Sequence, residues 1–235
     1  MAGNLPTLRP GTRTASRWLA APLRAGLGLL VLLVLLVGTQ SGLAARAKTD
    51  ALLSVQRLLA DWNVEAAATQ LAALGSSGKD DPELDLVRGQ LLFHQGDYEA
   101  AAKLLRAAAA ALHLSPAEAA DVRGLAELAT STAEVTRGFA EKRSEGGHFL
   151  IRYRKGRDEV LVPYAAEALE KAWAALGEDF AEIGEASLAK PSGPVRVEIY
   201  EDIVDLSRVS TLTIKEIETS GTIALCKWNR LMIVS

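Results

Sequence analysis

The chain has 235 residues, nearly half of them apolar, with few aromatics and a formal net charge of -3. That length allows one or two domains with real cores, and a single cysteine, Cys226, excludes an intrachain disulfide. Charge is uneven: Arg9, Arg13, Arg17, Arg24 and Arg46 fall in the first 47 residues with no Asp or Glu, so the remainder is distinctly acidic and no nucleic-acid partner is expected.

The N-terminal segment has the anatomy of an export signal. A basic stretch, Arg9 to Arg24, precedes an apolar run, Ala25–Gly38, and small residues follow in Ser41–Ala47 with A-x-A-like choices at Ala45 or Ala47. The run is shorter than the ~20 residues of a spanning helix, and counting Leu43 and Ala44 makes it marginal. A cleaved signal and a retained anchor through residues 25–44 both fit. Either places the chain after residue 47 across a membrane, in a bacterial cell envelope.

From Thr49 to about Arg143 the pattern is helical and repeats. Glu65–Leu71 and Glu99–Leu105 align at a shift of 34 residues, as do Leu58-Leu59 and Leu92-Phe93. The second copy resembles a tetratricopeptide repeat, with Gly89 at the packing position, Gly96-Asp97-Tyr98 at the turn, and Ala101, Leu105 and Ala108 on the second helix. The first copy is degenerate at Val55 and Trp62-Asn63. Ser115-Pro-Ala-Glu118 reads as a capping box opening a third helix pair. Residues 48–145 are therefore expected to be a short helical stack, either a peptide- or partner-binding surface or a spacer. His94 and His113 are expected to pack or to face solvent.

After Gly146-Gly147 the period changes. His148–Arg154 alternates as a strand, with Phe149, Ile151 and Tyr153 on one face. A helix over about Leu161–Phe180 carries the stripe Leu169, Trp173, Leu176, Phe180. A second strand, Val195–Tyr200, follows the breaker loop Lys190–Pro194. Short helices at Asp202–Val209 and Ile214–Glu218 then lead to strands Thr222–Cys226 and Leu231–Val234, joined by a turn at Lys227–Arg230. Arg152, Arg154, Lys155 and Arg157 read as a solvated edge. Glu198, Glu201, Asp202 and Asp205 fit no calcium loop and read as charges at a helix N-terminus. Cys226 reads as a packed thiol. No H-E-x-x-H and no Gly-rich phosphate loop occur.

The succession strand, long helix, strand, then Ile217–Ser235 resembles the start of the peptidase MA-like family, gluzincin zinc metallopeptidases some of which carry tetratricopeptide repeats. The resemblance covers about Gly147–Ser235. It implies that Gly221, Thr222, Ile223 and Ala224 form the sheet edge on which an extended substrate lies. It also implies a following helix with H-E-x-x-H, which this sequence does not contain. Hence no catalytic residue, no metal ligand and no cofactor are expected in this chain, with zinc expected only in a longer form. The fold expected is α plus α/β: a signal or anchor helix (1–47), a tetratricopeptide-like stack (48–145), and an incomplete α/β module (146–235) ending in an uncovered strand. The protein reads as the non-catalytic front portion of an exported zinc-peptidase-like protein, or as a membrane-anchored repeat scaffold for protein partners.

Overall fold

The computed structural model describes residues 46–75, 81–181 and 193–235. Two helical hairpins come first: α1 (46–60) with α2 (Val64–Ala73), and α3 (Pro82–Gln95) with α4 (Tyr98–Ala111). Local chemistry starts each helix. The side chains of Asn63, Asp81 and Asp97 accept the N–H of Ala66, Leu84 and Ala100, satisfying donors that the first turn leaves free. Leu52, Val55 and Leu59 of α1 bury against Val64, Ala67, Leu71, Leu84, Val87 and Leu91. Gln56 Nε2 donates to Gln90 Oε1 at 3.1 Å, a pair 34 residues apart that joins the same position of the two hairpins. α5 (Pro116–Val135) opens with the capping box of Ser115 and Glu118, both arms present.

The chain then makes a five-stranded mixed sheet in the order β1-β2-β3-β5-β4. Its strands are β1 (Ala140–Arg143), β2 (Phe149–Tyr153), β3 (Val195–Tyr200), β4 (Ala224–Lys227) and β5 (Arg230–Val234). The central pairs β2–β3 and β3–β5 are parallel, whereas both outer pairs are antiparallel. Helix α6 (Val162–Ala181) crosses between β2 and β3, while α7 (Ile203–Val209) and α8 (Ile214–Ser220) lead from β3 to β4. On one sheet face Phe149, Ile151, Tyr153, Val197 and Ile199 pack beneath Val162, Ala166 and Trp173 of α6. On the other, Tyr200 and Met232 pack with Val135 of α5, Leu206 and Val209 of α7, and Ile217 of α8.

The expected fold class is corrected by this arrangement. The described residues belong to the α plus β class, and the helices do not form a stack set apart from an α/β module. The α3–α4 turn and the C-terminal end of α5 pack on one face of the sheet, and the sheet begins at Ala140, inside the stretch read as helical repeats. Among the described residues no helix is long and apolar enough to cross a membrane, and the expected anchor helix is not supported. The residues on which signal and anchor were read lie, up to residue 45, outside the described ones, and an export signal is not shown.

Gly89 marks a close approach of α3 and α4. A Cβ there would stand 2.8 Å from Leu105 Cγ, and Leu105 is fully buried. Gly124, on the exposed side of α5, has nothing within 4 Å of the same position. A helix gains about 1 kcal/mol when Gly becomes Ala, but overpacking a core costs about 1–3 kcal/mol. Gly89→Ala is therefore expected to lower the unfolding free energy in urea, and Gly124→Ala to raise it.

Candidate functional site

The strongest concentration of polar chemistry is on the face of the sheet turned toward the α3–α4 turn. Register places Glu198 of β3 opposite Arg152 of β2 and Arg196 opposite Arg230 of β5. Glu198 is fully buried, and its carboxylate accepts four bonds. Tyr98 Oη (2.6 Å) and Arg152 Nη1 (2.9 Å) donate to Oε1. Tyr200 Oη (2.6 Å) and Arg230 Nη1 (2.8 Å) donate to Oε2. Its acceptor capacity is full. Arg230 also donates to the Val209 carbonyl at 2.8 Å, and its guanidinium lies 4.8 Å from the Tyr98 ring centre and 5.4 Å from that of Phe93. Arg196 donates to the His94 carbonyl at the C-terminal end of α3 (2.5 Å) and to Tyr98 Oη (3.4 Å).

Gly96 makes that reach possible. It caps α3 in the left-handed region at φ 88°, and a Cβ there would fall 1.8 Å from Arg196 Nη1. The cluster thus clamps the α3–α4 turn onto the middle of the sheet.

Protonation states follow from the packing. Burial alone would raise Glu198, but Arg230 and Arg196, with the two tyrosine hydroxyls, outweigh it and hold the carboxyl below its usual range. Burial and the Glu198 carboxylate push Tyr98 up to about 12 and Tyr200 well above its ordinary value. Burial would lower Arg230, but Glu198 beside it raises it, so it stays charged. His94 is driven down to about 4 by burial and then by Arg196 and Arg230. These directions leave Glu198 and Arg230 charged and the two tyrosines and His94 neutral near pH 7, which suits a structural clamp.

A second polar cluster ties the β1–β2 turn to α6. Glu170 accepts from Ser144 Oγ (2.5 Å) and from His148 N (3.2 Å), and pairs with His148 Nδ1 (2.7 Å). The His148 ring stacks on Trp173 at 4.6 Å. Ser144 and then His148 hold the Glu170 carboxyl below its ordinary value. Ser144 Oγ also accepts from the Phe149 N–H (3.0 Å) and donates to the Phe149 carbonyl (3.3 Å), so its hydroxyl ties the β1–β2 turn to α6. Among the described residues no three His, Cys, Asp or Glu side chains are grouped to hold a metal ion.

The predicted edge residues occupy the approach to β4. Gly221 is the left-handed cap of α8 at φ 65°, with open space where a Cβ would stand. Thr222 Oγ1 pairs with Ser220 Oγ at 2.5 Å. Ile223 is 72% exposed, and its carbonyl accepts from Val234 N–H at 2.9 Å. Ala224 opens β4, which among the described residues has a neighbour on one side only. Antiparallel pairs alternate, so Leu225 and Lys227, like Ile223, direct their main-chain groups to β5. The N–H and C=O of Ala224 and Cys226 point away, onto the open edge. The β4–β5 turn is Trp228-Asn229, at φ 53° and 57°, as a two-residue type I′ hairpin requires. Trp228 is costly there, and its indole docks edge-on against Phe93 of α3 at 5.4 Å.

Several sequence expectations are corrected. Arg152 belongs to the buried cluster, not to a solvated edge, and Glu198 is its centre, not a helix-terminal charge. Arg196 and Arg230, which the sequence reading passed over, are buried there too. Cys226 is exposed, not packed. No protein-family model, curated protein or solved structure matches the chain. The tetratricopeptide and peptidase names given by resemblance accordingly have no support from those comparisons, and the helices are described simply as hairpins.

Two outcomes follow from the cluster. Glu198→Gln leaves buried guanidiniums without their counter-charge, and breaking such a pair costs roughly 3–5 kcal/mol. Urea unfolding should show that loss, while Glu127→Gln, at an exposed position, should stay within about 0.5 kcal/mol of wild type. His94 gives a pH signature. Its folded value is depressed, so the unfolded chain binds the proton first as pH falls. Stability from this group is complete above about 6.5 and is lost progressively toward about 4. His94→Gln should flatten the pH dependence of the thermal midpoint between those values.

Proposed function

We propose that this chain is a non-catalytic peptide-binding module, which takes an extended segment of a partner by strand addition to β4. The observation that carries the reading is the outward set of main-chain donors and acceptors at Ala224 and Cys226, on an open edge. The hairpin that holds this edge is fixed from behind by Trp228 on Phe93 and by Arg230 on Glu198. A rigid strand loses little conformational freedom on binding. The other edge is unlike it. β1 carries Glu141, Lys142 and Arg143, all exposed, and charges on an edge deter added strands. Ile223, Ala224 and Cys226 offer no charge. The front portion of a zinc-peptidase-like protein and a free-standing interaction scaffold would both use such an edge, and the proposal is common to the two.

Proline separates an open edge from a structural one. At Ala224 it removes a donor that faces outward, and at Leu225 one that bonds β5. The probe is a fluorescein-labelled hexapeptide of alternating Val and Thr. Its control is the same peptide N-methylated at alternate residues to block one row of donors. Ala224→Pro should weaken binding at least tenfold and shift the thermal midpoint by only a few degrees, whereas Leu225→Pro should lower the midpoint sharply. The proposal fails if Ala224→Pro binds as wild type does, or if both peptides bind equally.

A further inference from the structure

A second surface, involving no residue of β4, arises where the helices stop. Each of α1 to α4 is followed by another helix, but α5 is not: after Thr136 the chain turns through Gly138, at φ 78°, into β1. The flank shared by α4 and α5 is left as an open groove of about 580 Å³. Its floor is made of small side chains, Ala109, Ala110 and Ala126, which allow helix axes to come close. Its charges are sorted along the axis. Arg106 and Arg123 line one part, and Glu127 and Glu134 line the part toward the C-terminal end of α5.

The partners of these charges are informative. Glu134 is held by Arg208 of α7 at 2.9 Å, and Arg106 Nε donates to the Ala102 carbonyl at 3.1 Å. Arg123 and Glu127 are exposed and make no ion pair or side-chain hydrogen bond among the described residues. They are one turn apart on α5, so a ligand along the groove meets both. From Arg123 to Glu134 the groove runs about 16 Å, the length of three helical turns.

We infer that this groove is the seat of an amphipathic helix from a partner protein, lying antiparallel to α5. The direction follows from charge. A helix carries partial negative charge at its C-terminus and partial positive charge at its N-terminus. Laid antiparallel, it brings its C-terminal turn to Arg106 and Arg123 and its N-terminal turn to Glu127 and Glu134. Acidic residues in its last turn and basic residues in its first would strengthen both ends, and Ala or Leu on its inner face would fill the floor. Parallel insertion would set like charge against like at each end.

The test uses the full chain and two labelled, stapled peptides of about 14 residues. Both have an Ala/Leu inner face. One carries Lys in its first turn and Glu in its last, and the second has these charges exchanged. Fluorescence anisotropy should show the first binding at least tenfold tighter, with the difference shrinking at high salt. In the double variant Arg123→Glu, Glu127→Lys the preference should invert. Both positions are exposed, and circular dichroism is the check that the variant folds. Equal affinity for the two peptides, no binding at millimolar concentration, or a preference that survives the charge reversal would each overturn the inference. The β4 proposal is read with extended peptides on different variants, so either can fail without the other.

Discussion

One carboxylate holds the two halves of this protein together. Glu198 has no solvent contact, and its four bonds come from β2, β5, its own strand and the first residue of α4. Three guanidiniums surround it, so the cluster carries more positive than negative charge. The excess is met by other means. Carbonyls of His94 and Val209 take one donor each from Arg196 and Arg230, and the rings of Tyr98, Phe93 and Trp228 present their negative faces to Arg230. Glu141 adds a carboxylate 3.1 Å from Arg152 Nε at the rim. An apolar core of equal volume could match the stability of such a cluster. What it would not supply is direction. The bonds run between fixed atoms on the α3–α4 turn and on three strands, so they set the position of the helices over the sheet.

That constraint reaches the open edge. Arg230 is the first residue of β5 and directly follows the turn residues Trp228 and Asn229. Pinning Arg230 to Glu198 and Trp228 to Phe93 anchors the hairpin at its closed end, where a bulky residue at positive φ would otherwise favour another conformation. β4 is therefore held in place without help from its outer side.

How much of this was legible in the sequence depended on whether the information was local. The capping box at Ser115, the helix from about Leu161 and the alternation of Val195–Tyr200 are short-range patterns that each correspond to an element, and the 34-residue spacing separates the matching positions Gln56 and Gln90 of two helical hairpins. β1 was not legible. Ala140-Glu-Lys-Arg143 has three exposed charges in four residues, and it is a strand only because its main chain pairs with β2. The cluster was missed for a related reason. Alternation in β2 assigns Arg152 to a solvated face, the usual meaning in a sheet with one wet side, and Glu198 reads with the acidic residues that follow it as a helix-terminal charge. Here both faces are covered, and the cover over the polar face comes from Tyr98 and His94, about 100 residues earlier in the chain. Polar residues alternating through a strand covered on both sides must find partners, but the sequence does not say where the second cover comes from. The available hint is that each of the three central strands carries an arginine, Arg152 in β2, Arg196 in β3 and Arg230 in β5, while Glu198 is the acidic residue among them.

An exposed edge is also an invitation to aggregate, and the fold limits the risk while leaving the edge open. β4 is only four residues long and ends at Lys227, whose ammonium is drawn aside to Thr211 Oγ1 (3.0 Å) and over the Trp228 ring (4.4 Å). A template this short offers outward main-chain groups from two residues, too few to hold a second copy of the chain firmly. A peptide with side chains that also engage Ile223 gains contact area that β4 alone cannot give to another β4. The same feature that protects the protein from itself therefore sets its selectivity: recognition must come from side chains flanking a short ladder, with the ladder fixing only direction and register.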